Sequence, residues 1–256
     1  MALETYLRER QKARDDILIM THIVVGYPSF TASRQLVQAM VDGGVDLIEL
    51  QIPFSEPIAD GPVIAQANQA ALAQGATVER CLEFAGEMSR AHAIPFLCMT
   101  YYNLVVRRGV DRFVERWREA GVSGAIVPDL PPEEADEYLA AMRAAQLDSV
   151  FIFSPNSSEA RLRLIAGCAR GFVYCVARPG VTGAQTDFTA ELLGYLARCR
   201  AATSLPLALG FGVKHRADVD FLRGKVEMAV LGSETLRVLD AQGVEAVGPF
   251  VRGLRG

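Results

Sequence analysis

The sequence predicts an α/β protein of the (β/α)8, or TIM-barrel, class, formed as a single domain with additional helices over residues 1–256. Three observations carry that prediction. Eight apolar segments of strand length recur along the chain, each followed by a segment with helical spacing of its apolar residues. These strand segments are near-continuously apolar, the pattern of parallel strands covered on both faces. Eight such units in 256 residues also match the count and size of a barrel of about 250 residues. A doubly wound open sheet is the alternative. It would leave about two strands outside the pattern and calls for a G-x-G-x-x-G first turn, where this chain has Gly26-Tyr27-Pro28.

Taken in order, residues 3–14 are strong helix formers with Leu3 and Leu7 one turn apart, a short amphipathic helix. Residues 17–25 form an apolar strand ending at Gly26-Tyr27-Pro28. The next helix, 31–41, places Leu36, Val37 and Met40 on one face and stops at Gly43-Gly44. Strand 45–52 follows, then helices 63–74 and 78–92 and strand 94–101. Helix 110–119 leads to strand 124–127, helix 133–145 to strand 149–153, and helix 159–169 to strand 172–177. Helix 190–200 precedes strand 205–209, helix 216–223 precedes strand 226–231, and helices 234–240 and 244–254 close the alternation. The sequence has no low-complexity segment, linker or short-period repeat.

Composition narrows the function classes. The net charge is −4, and the adjacent basic pair Arg107-Arg108 is too short to form a nucleic-acid footprint. The five cysteines have no C-x-x-C spacing and read as small buried hydrophobes of a reducing compartment. The three histidines, His22, His92 and His215, are dispersed, so no sequence-local metal cluster is expected. No stretch approaches the ~20 apolar residues of a membrane span, and residues 1–16 are charged and helix-patterned. A cytoplasmic, metal-independent protein is the expectation.

In a barrel of this class the chemistry lies on the rim where the strands end. The stretch 47–62 runs from apolar strand through a proline-rich loop to a helix start, with Glu49 near the strand end and Asp60 before Gly61-Pro62. Alternation puts Leu47, Glu49 and Gln51 on one face and Ile48 and Leu50 on the other. If the first face is the interior, Glu49 is an ionisable group where apolar side chains normally pack, a setting for acid–base chemistry. An ion-paired or hydrogen-bonded interior carboxylate is the other reading. Asp60 likewise fits either a chemical role or a turn or helix-capping role, with Pro62 as first helical residue. Pro53, Pro57 and Pro62 stiffen the loop, which suits a shaped active-site loop and equally a docking loop.

Glycines supply a second signal. Gly180-Val181-Thr182-Gly183 follows the sixth strand, Gly210-Phe211-Gly212 the seventh, and Gly232-Ser233 the eighth, where it opens a short helix. Such glycines serve tight turns, but three in succession around one rim let backbone amides approach a phosphate and point to a phosphorylated small substrate. Tyr174 and Phe211 are candidate pocket walls or core aromatics. Asp129, before Leu130-Pro131-Pro132, orders a loop or caps the next helix. His22, inside an apolar strand, reads as a hydrogen-bonded core histidine, with a further role if it faces a carboxylate.

These residues resemble one family. Ile48-Glu49-Leu50, Pro53-Phe54-Ser55-Glu56-Pro57 and Ala59-Asp60-Gly61 look like the signature of the tryptophan synthase alpha chain. The likeness continues in Met99-Thr100-Tyr101-Tyr102-Asn103, Val127-Pro128-Asp129-Leu130-Pro131, Gly180-Val181-Thr182-Gly183, Gly210-Phe211-Gly212 and Gly232-Ser233, in order from Gly26 to Ser233. The resemblance implies a (β/α)8 barrel that cleaves indole-3-glycerol phosphate to indole and glyceraldehyde 3-phosphate, a retro-aldol reaction without a cofactor. It implies that Glu49 is the acid–base residue that protonates the indole at C3 and assists removal of the glycerol hydroxyl proton. It implies that Asp60 meets the indole N–H and stabilises the indolenine-like cation. It further implies a phosphate site at Gly183, Gly212, Gly232 and Ser233, substrate walls at Tyr174 and Phe211, and a closing loop bearing Thr182. The loop from Pro53 through Phe54, Ser55, Glu56 and Pro57 would contact a tryptophan synthase beta chain in an alpha2-beta2 assembly.

The chain departs from the family pattern at several positions. Gln51 stands where the signature has glycine, His22 where the family has an apolar aromatic, Glu56 where it has aspartate, and Ala177-Arg178-Pro179 replaces a serine-containing run. Gln51, expected beside Glu49, could hydrogen-bond that carboxyl or narrow the pocket. With His22, Met99 and Asp129 it is a candidate for setting specificity. Three functions are therefore weighed: the alpha chain of a two-chain synthase, a stand-alone or specialised lyase for the same substrate, and a weakly active paralogue that binds and activates a beta chain.

Overall fold

The computed structural model describes residues 2–176, 185–210 and 212–255, the side chains of 185–189 excepted. Eight parallel strands close on themselves in sequence order. They are β1 Leu18–Val24, β2 Leu47–Gln51, β3 Phe96–Met99, β4 Gly124–Ile126, β5 Asp148–Phe153, β6 Val173–Val176, β7 Leu207–Gly210 and β8 Met228–Leu231. β1 pairs with β2 on one side and β8 on the other, Leu18 opposite Met228. The open-sheet alternative is thereby excluded. Around the barrel run α1 Leu3–Arg14, α2 Phe30–Asp42, α3 Pro62–Ala73, α4 Val78–Ala91, α5 Tyr102–Val106, α6 Val110–Glu119, α7 Asp136–Ala144, α8 Glu159–Cys168, α9 Gln185–Ala202, α10 Arg216–Leu222, α11 Ser233–Gln242 and α12 Val247–Gly253.

The apolar runs of the strands feed two cores. Leu18, Met20, Leu47, Leu97, Val150 and Phe172 pack inside the barrel, while their neighbours Ile19, Ile23, Ile48, Leu50 and Cys98 pack between sheet and helices. Consecutive residues must both be apolar when each face of a strand is covered. Several helices start on side-chain caps of the expected kind: Ser29 accepts from the Ala32 N–H, Thr77 from Arg80 and Ser158 from Arg161.

Differences from the sequence reading have local causes. The strands are shorter than the apolar runs because the chain stays buried after leaving the ladder: Tyr101 is 1% exposed yet follows the end of β3. Helix 133–145 resolves into a 3-10 turn, Pro132–Glu134, and α7, and helix 244–254 opens with a second such turn, Val244–Ala246. α5, with five residues, is too short to carry a periodicity and was not expected.

The N-terminal end of the barrel is plugged. Leu3 and Leu7 of α1 join the inner core, and the Leu3 N–H donates to Asp148 at 3.0 Å. Beside them Asp46, whose side chain is fully buried, accepts from the Ile19 N–H at 2.9 Å and pairs with Arg10 at 3.0 Å, Arg14 at 2.6 Å and Arg255. Removing one member of such a buried cluster strands the others without a counter-charge, at a cost of roughly 3–5 kcal/mol. Asp46→Ala is therefore expected to lower the unfolding free energy read from a urea titration by that much while leaving the geometry of the opposite rim, and so the KM, unchanged.

Candidate active site

β2 brings its inward face to the open rim. Leu47 lies in the inner core, and Glu49 and Gln51 follow above it, 5% and 0% exposed. β1 supplies the facing residue: His22 is the register partner of Glu49, its Nδ1 is 3.4 Å from Glu49 Oε1, and both side chains are buried. Here the second reading of His22, an inward histidine beside a carboxylate, is the one observed.

Asp60 does not cap α3. The N-cap is Gly61, with no side-chain cap bond, and Pro62 is the first helical residue as expected. The loop after β2 instead folds back so that Asp60 meets the rim, where its Oδ2 accepts from Gln51 Nε2 at 2.6 Å and from the Tyr101 hydroxyl at 3.2 Å. The Tyr101 oxygen also accepts from the Ala59 N–H at 3.1 Å. Gln51 was expected beside Glu49. It reaches Asp60 because it sits one step nearer the rim, where the returning loop passes. Asn68 on α3 holds the base of that loop: its Oδ1 accepts from the Phe54 N–H at 2.9 Å and its Nδ2 donates to the Ile64 carbonyl at 2.8 Å.

At this mouth lies a cavity of 140 Å³ lined by His22, Glu49, Asp60, Met99, Tyr174 and Gly232, with Ile64, Ile126, Ile152 and Val176 as apolar wall. Gly210 makes room for Tyr174, because a Cβ there would lie 2.4 Å from its hydroxyl. A larger hollow of 460 Å³ lies at the plugged end against Arg8, Lys12, Asp16 and Arg223. Some of its charges are paired, Asp16 with Arg223 at 2.7 Å and Arg8 with Glu4 at 2.9 Å, and it has none of the inward carboxyl groups of the mouth.

The electrostatics follow from burial and close charges. Burial opposes protonation of His22, but the Glu49 carboxylate beside it, with Asp60 and the Gln51 amide, outweighs this and leaves its pKa above the ordinary histidine value. Burial raises Asp60 above the usual aspartate range, and hydrogen bonds from Gln51 and Tyr101 and the nearby His22 offset only part of the rise. Tyr174 is raised well above the phenol value by burial and by the two carboxylates.

The remaining expectations divide. Met99 lines the cavity, as does Gly232. Ser233 opens α11, and Gly212 adopts a positive φ of 42° at the rim, without lining the cavity. Asp129 accepts from the Tyr102 N–H at 2.8 Å, which makes it a loop-ordering residue away from the cavity. Thr182, Gly183 and Phe211 lie outside the described residues, as does 177–184. The proline-rich loop, read as one contact surface over 53–57, is split: Pro53 is buried, and Phe54 stacks on Tyr101 at 5.0 Å between ring centroids. Ser55 and Glu56 are exposed and Pro57 partly so. Ile58, not singled out from the sequence, is 82% exposed at the tip. Tyr101 and Asn68 were also missed as site residues, although Tyr101 stood within a quoted motif.

A parallel barrel whose open mouth gathers two carboxyl groups around a small cavity with an apolar wall has the layout of a barrel enzyme. Comparison with known proteins carries this further. The family model described as tryptophan synthase alpha chain matches residues 8–247. The tryptophan synthase alpha chain of Syntrophotalea carbinolica is 58% identical over 253 residues, covering 99% of this chain and 100% of that one. That of Desulforapulum autotrophicum is 58% identical over 252 residues, covering 98% and 99%. Among solved structures, tryptophan synthase of Mycobacterium tuberculosis superposes with a TM-score of 0.90 at 32% identity, covering 99% of this chain and 97% of that one. The chain belongs to the tryptophan synthase alpha chain family. It is a carbon–carbon lyase of tryptophan biosynthesis that cleaves indole-3-glycerol phosphate to indole and glyceraldehyde 3-phosphate.

Proposed function

We propose that Glu49 and Asp60 carry out this cleavage with different roles, in a chain that works with a beta partner. The observation that carries the reading is the placement of both carboxyl groups on one mouth cavity, with two donors on Asp60 Oδ2. That arrangement leaves Asp60 Oδ1 for the indole N–H. Glu49 delivers a proton to indole C3, which turns C3 from a nucleophilic carbon into a leaving group, while Asp60 offsets the positive charge that develops on the ring. Removal of the glycerol hydroxyl proton by Glu49 then lets the carbon–carbon bond break. Tyr174 and Met99 flank the substrate, with Thr182 and Phe211 assigned to the same enclosure. The amides near Gly183, Gly212, Gly232 and Ser233 hold the phosphate, for which backbone N–H groups at a helix N-terminus are suited.

The exposed tip Ser55, Glu56, Pro57 and Ile58 is the surface assigned to the beta chain. A side chain as apolar as Ile58 standing 82% exposed is suited to burial against a partner. Among the described residues no helix is long and apolar enough to cross a membrane. Indole release from the purified chain, measured with and without a tryptophan synthase beta chain, tests the reading. A rate that rises on addition is expected. A high rate unaffected by it would favour the stand-alone lyase, and a failure to reach ordinary enzymatic rates either with or without it would favour the activating paralogue.

A further inference from the structure

Two buried polar atoms of the mouth lack a partner at full hydrogen-bonding geometry among the described residues: His22 Nε2 and Gln51 Oε1. Their neighbours on the other side are engaged, since His22 Nδ1 faces Glu49 at 3.4 Å and Gln51 Nε2 donates to Asp60 at 2.6 Å. The amide orientation follows from chemistry, because only its nitrogen can face a carboxylate. A neutral imidazole donating through Nδ1 would present an Nε2 lone pair, which an amide oxygen cannot complement. An imidazolium has a donor on each nitrogen, and the β1–β2 register, His22 opposite Glu49 and Val24 opposite Gln51, puts Gln51 on the adjoining strand two residues past the register partner of His22.

We propose that His22 and Gln51 are positioning residues that join the two carboxyl groups into one hydrogen-bonded chain, Glu49–His22–Gln51–Asp60, in which the proton that Glu49 delivers is held between Glu49 and His22. The proposal rests on the roles given above to Glu49 and Asp60. In the step, the shared proton passes through Glu49 to indole C3 and forms the C–H bond. The breaking carbon–carbon bond then sends its electron pair into the ring, which becomes neutral indole. The O–H electron pair of the glycerol hydroxyl forms the aldehyde carbonyl, and its proton returns to Glu49 and His22. The pair ends with the one proton it began with, and no other reactant is needed.

The ionisable groups facing His22 are Glu49 from β2, Asp60 from the loop before α3 and Tyr174 from β6, with Tyr101 after β3 behind Asp60; the end of β8 contributes Gly232, which does not titrate. The charge on His22 is present below its raised pKa and lost as pH rises through it, so its effect falls on the alkaline side of the activity profile. The test measures kcat and KM for indole-3-glycerol phosphate across pH on the full chain, His22→Phe, Gln51→Gly and the double variant. Imidazole NMR titration of His22 accompanies it in the wild type, Gln51→Gly and Glu49→Gln.

Each single variant is expected to lower kcat about tenfold or more at pH 8 with KM changed less, a part of the roughly 10²-fold or larger contribution of the acid–base group it positions. The alkaline limb should move toward lower pH in His22→Phe. The double variant should be no worse than the worse single one. By NMR, His22 should titrate above the ordinary value of about 6.5 in the wild type and lower in both Gln51→Gly and Glu49→Gln. Unchanged kcat and pH profiles, or a His22 titration indifferent to both substitutions, would overturn the proposal while leaving the cleavage reading intact. A folded wild type that releases no indole would overturn the cleavage reading, and the NMR titration would still decide whether the chain of bonds exists.

Discussion

Glu49→Gln is expected to abolish indole release, lowering kcat by a factor on the order of 10²–10⁴, while its melting temperature stays within a few degrees of the wild type. Glutamine keeps the shape of glutamate and can still hydrogen-bond His22, so the inner wall of the mouth is preserved. What it lacks is a transferable proton at the position 3.4 Å from His22 Nδ1. Because the lost interaction belongs to the transition state, kcat should fall far more than KM changes. Steady-state indole release at saturating substrate, beside a circular dichroism melt, reads both quantities.

Asp60→Asn is expected to cost about 10²–10³ in kcat, the size seen when one charge-stabilising group is removed from a preorganised site. Asparagine can still accept from Gln51 Nε2 and the Tyr101 hydroxyl, so the returning loop keeps its anchor. The substitution removes only the negative charge that faces the developing indolenine cation. Stability should move the other way. A carboxyl whose folded pKa is raised, as burial raises Asp60, binds its proton more tightly in the folded chain. Its stabilising contribution is present below the unfolded value of about 3.9 and is lost as pH rises through the folded one. At pH 7 the charged Asp60 is thus a burden on the fold, and Asp60→Asn should melt no lower than the wild type. A thermal melt at pH 7 checks the sign. In activity, protonation of Asp60 should draw the acid limb above the usual aspartate range.

The barrel was legible because its signal is repeated and local: eight buried strands leave eight apolar runs, and α1, α6 and the Pro62 start of α3 appear at their expected places. Alternation put Glu49 on one face with Leu47 and Gln51 but left open whether that face is the interior, which the place of Leu47 in the inner core decides. The place of Asp60 was not legible, since Asp-Gly-Pro reads locally as a cap, and its true partners come from Gln51, nine positions back, and Tyr101, forty-one ahead. Only the return of the loop brings them together. The His22–Glu49 contact depends on the register of β1 against β2, which neither strand specifies by itself. Asn68 escaped notice for the same reason: a lone polar residue on a helix gives no sign that it anchors a loop fourteen positions away. Contacts set by chain return and strand register are a property of the closed barrel and are not written in any short segment.

The division of labour between the two carboxyl groups is tested most directly by a single turnover with enzyme in excess, following bound indole-3-glycerol phosphate in the wild type and in Glu49→Gln. The wild type should convert each bound substrate to one indole and one glyceraldehyde 3-phosphate, and Glu49→Gln should bind the same substrate and release it intact. Conversion by Glu49→Gln at a rate within about tenfold of the wild type would contradict the assignment of Glu49 as the group that delivers the proton, since a general acid contributes at least about 10².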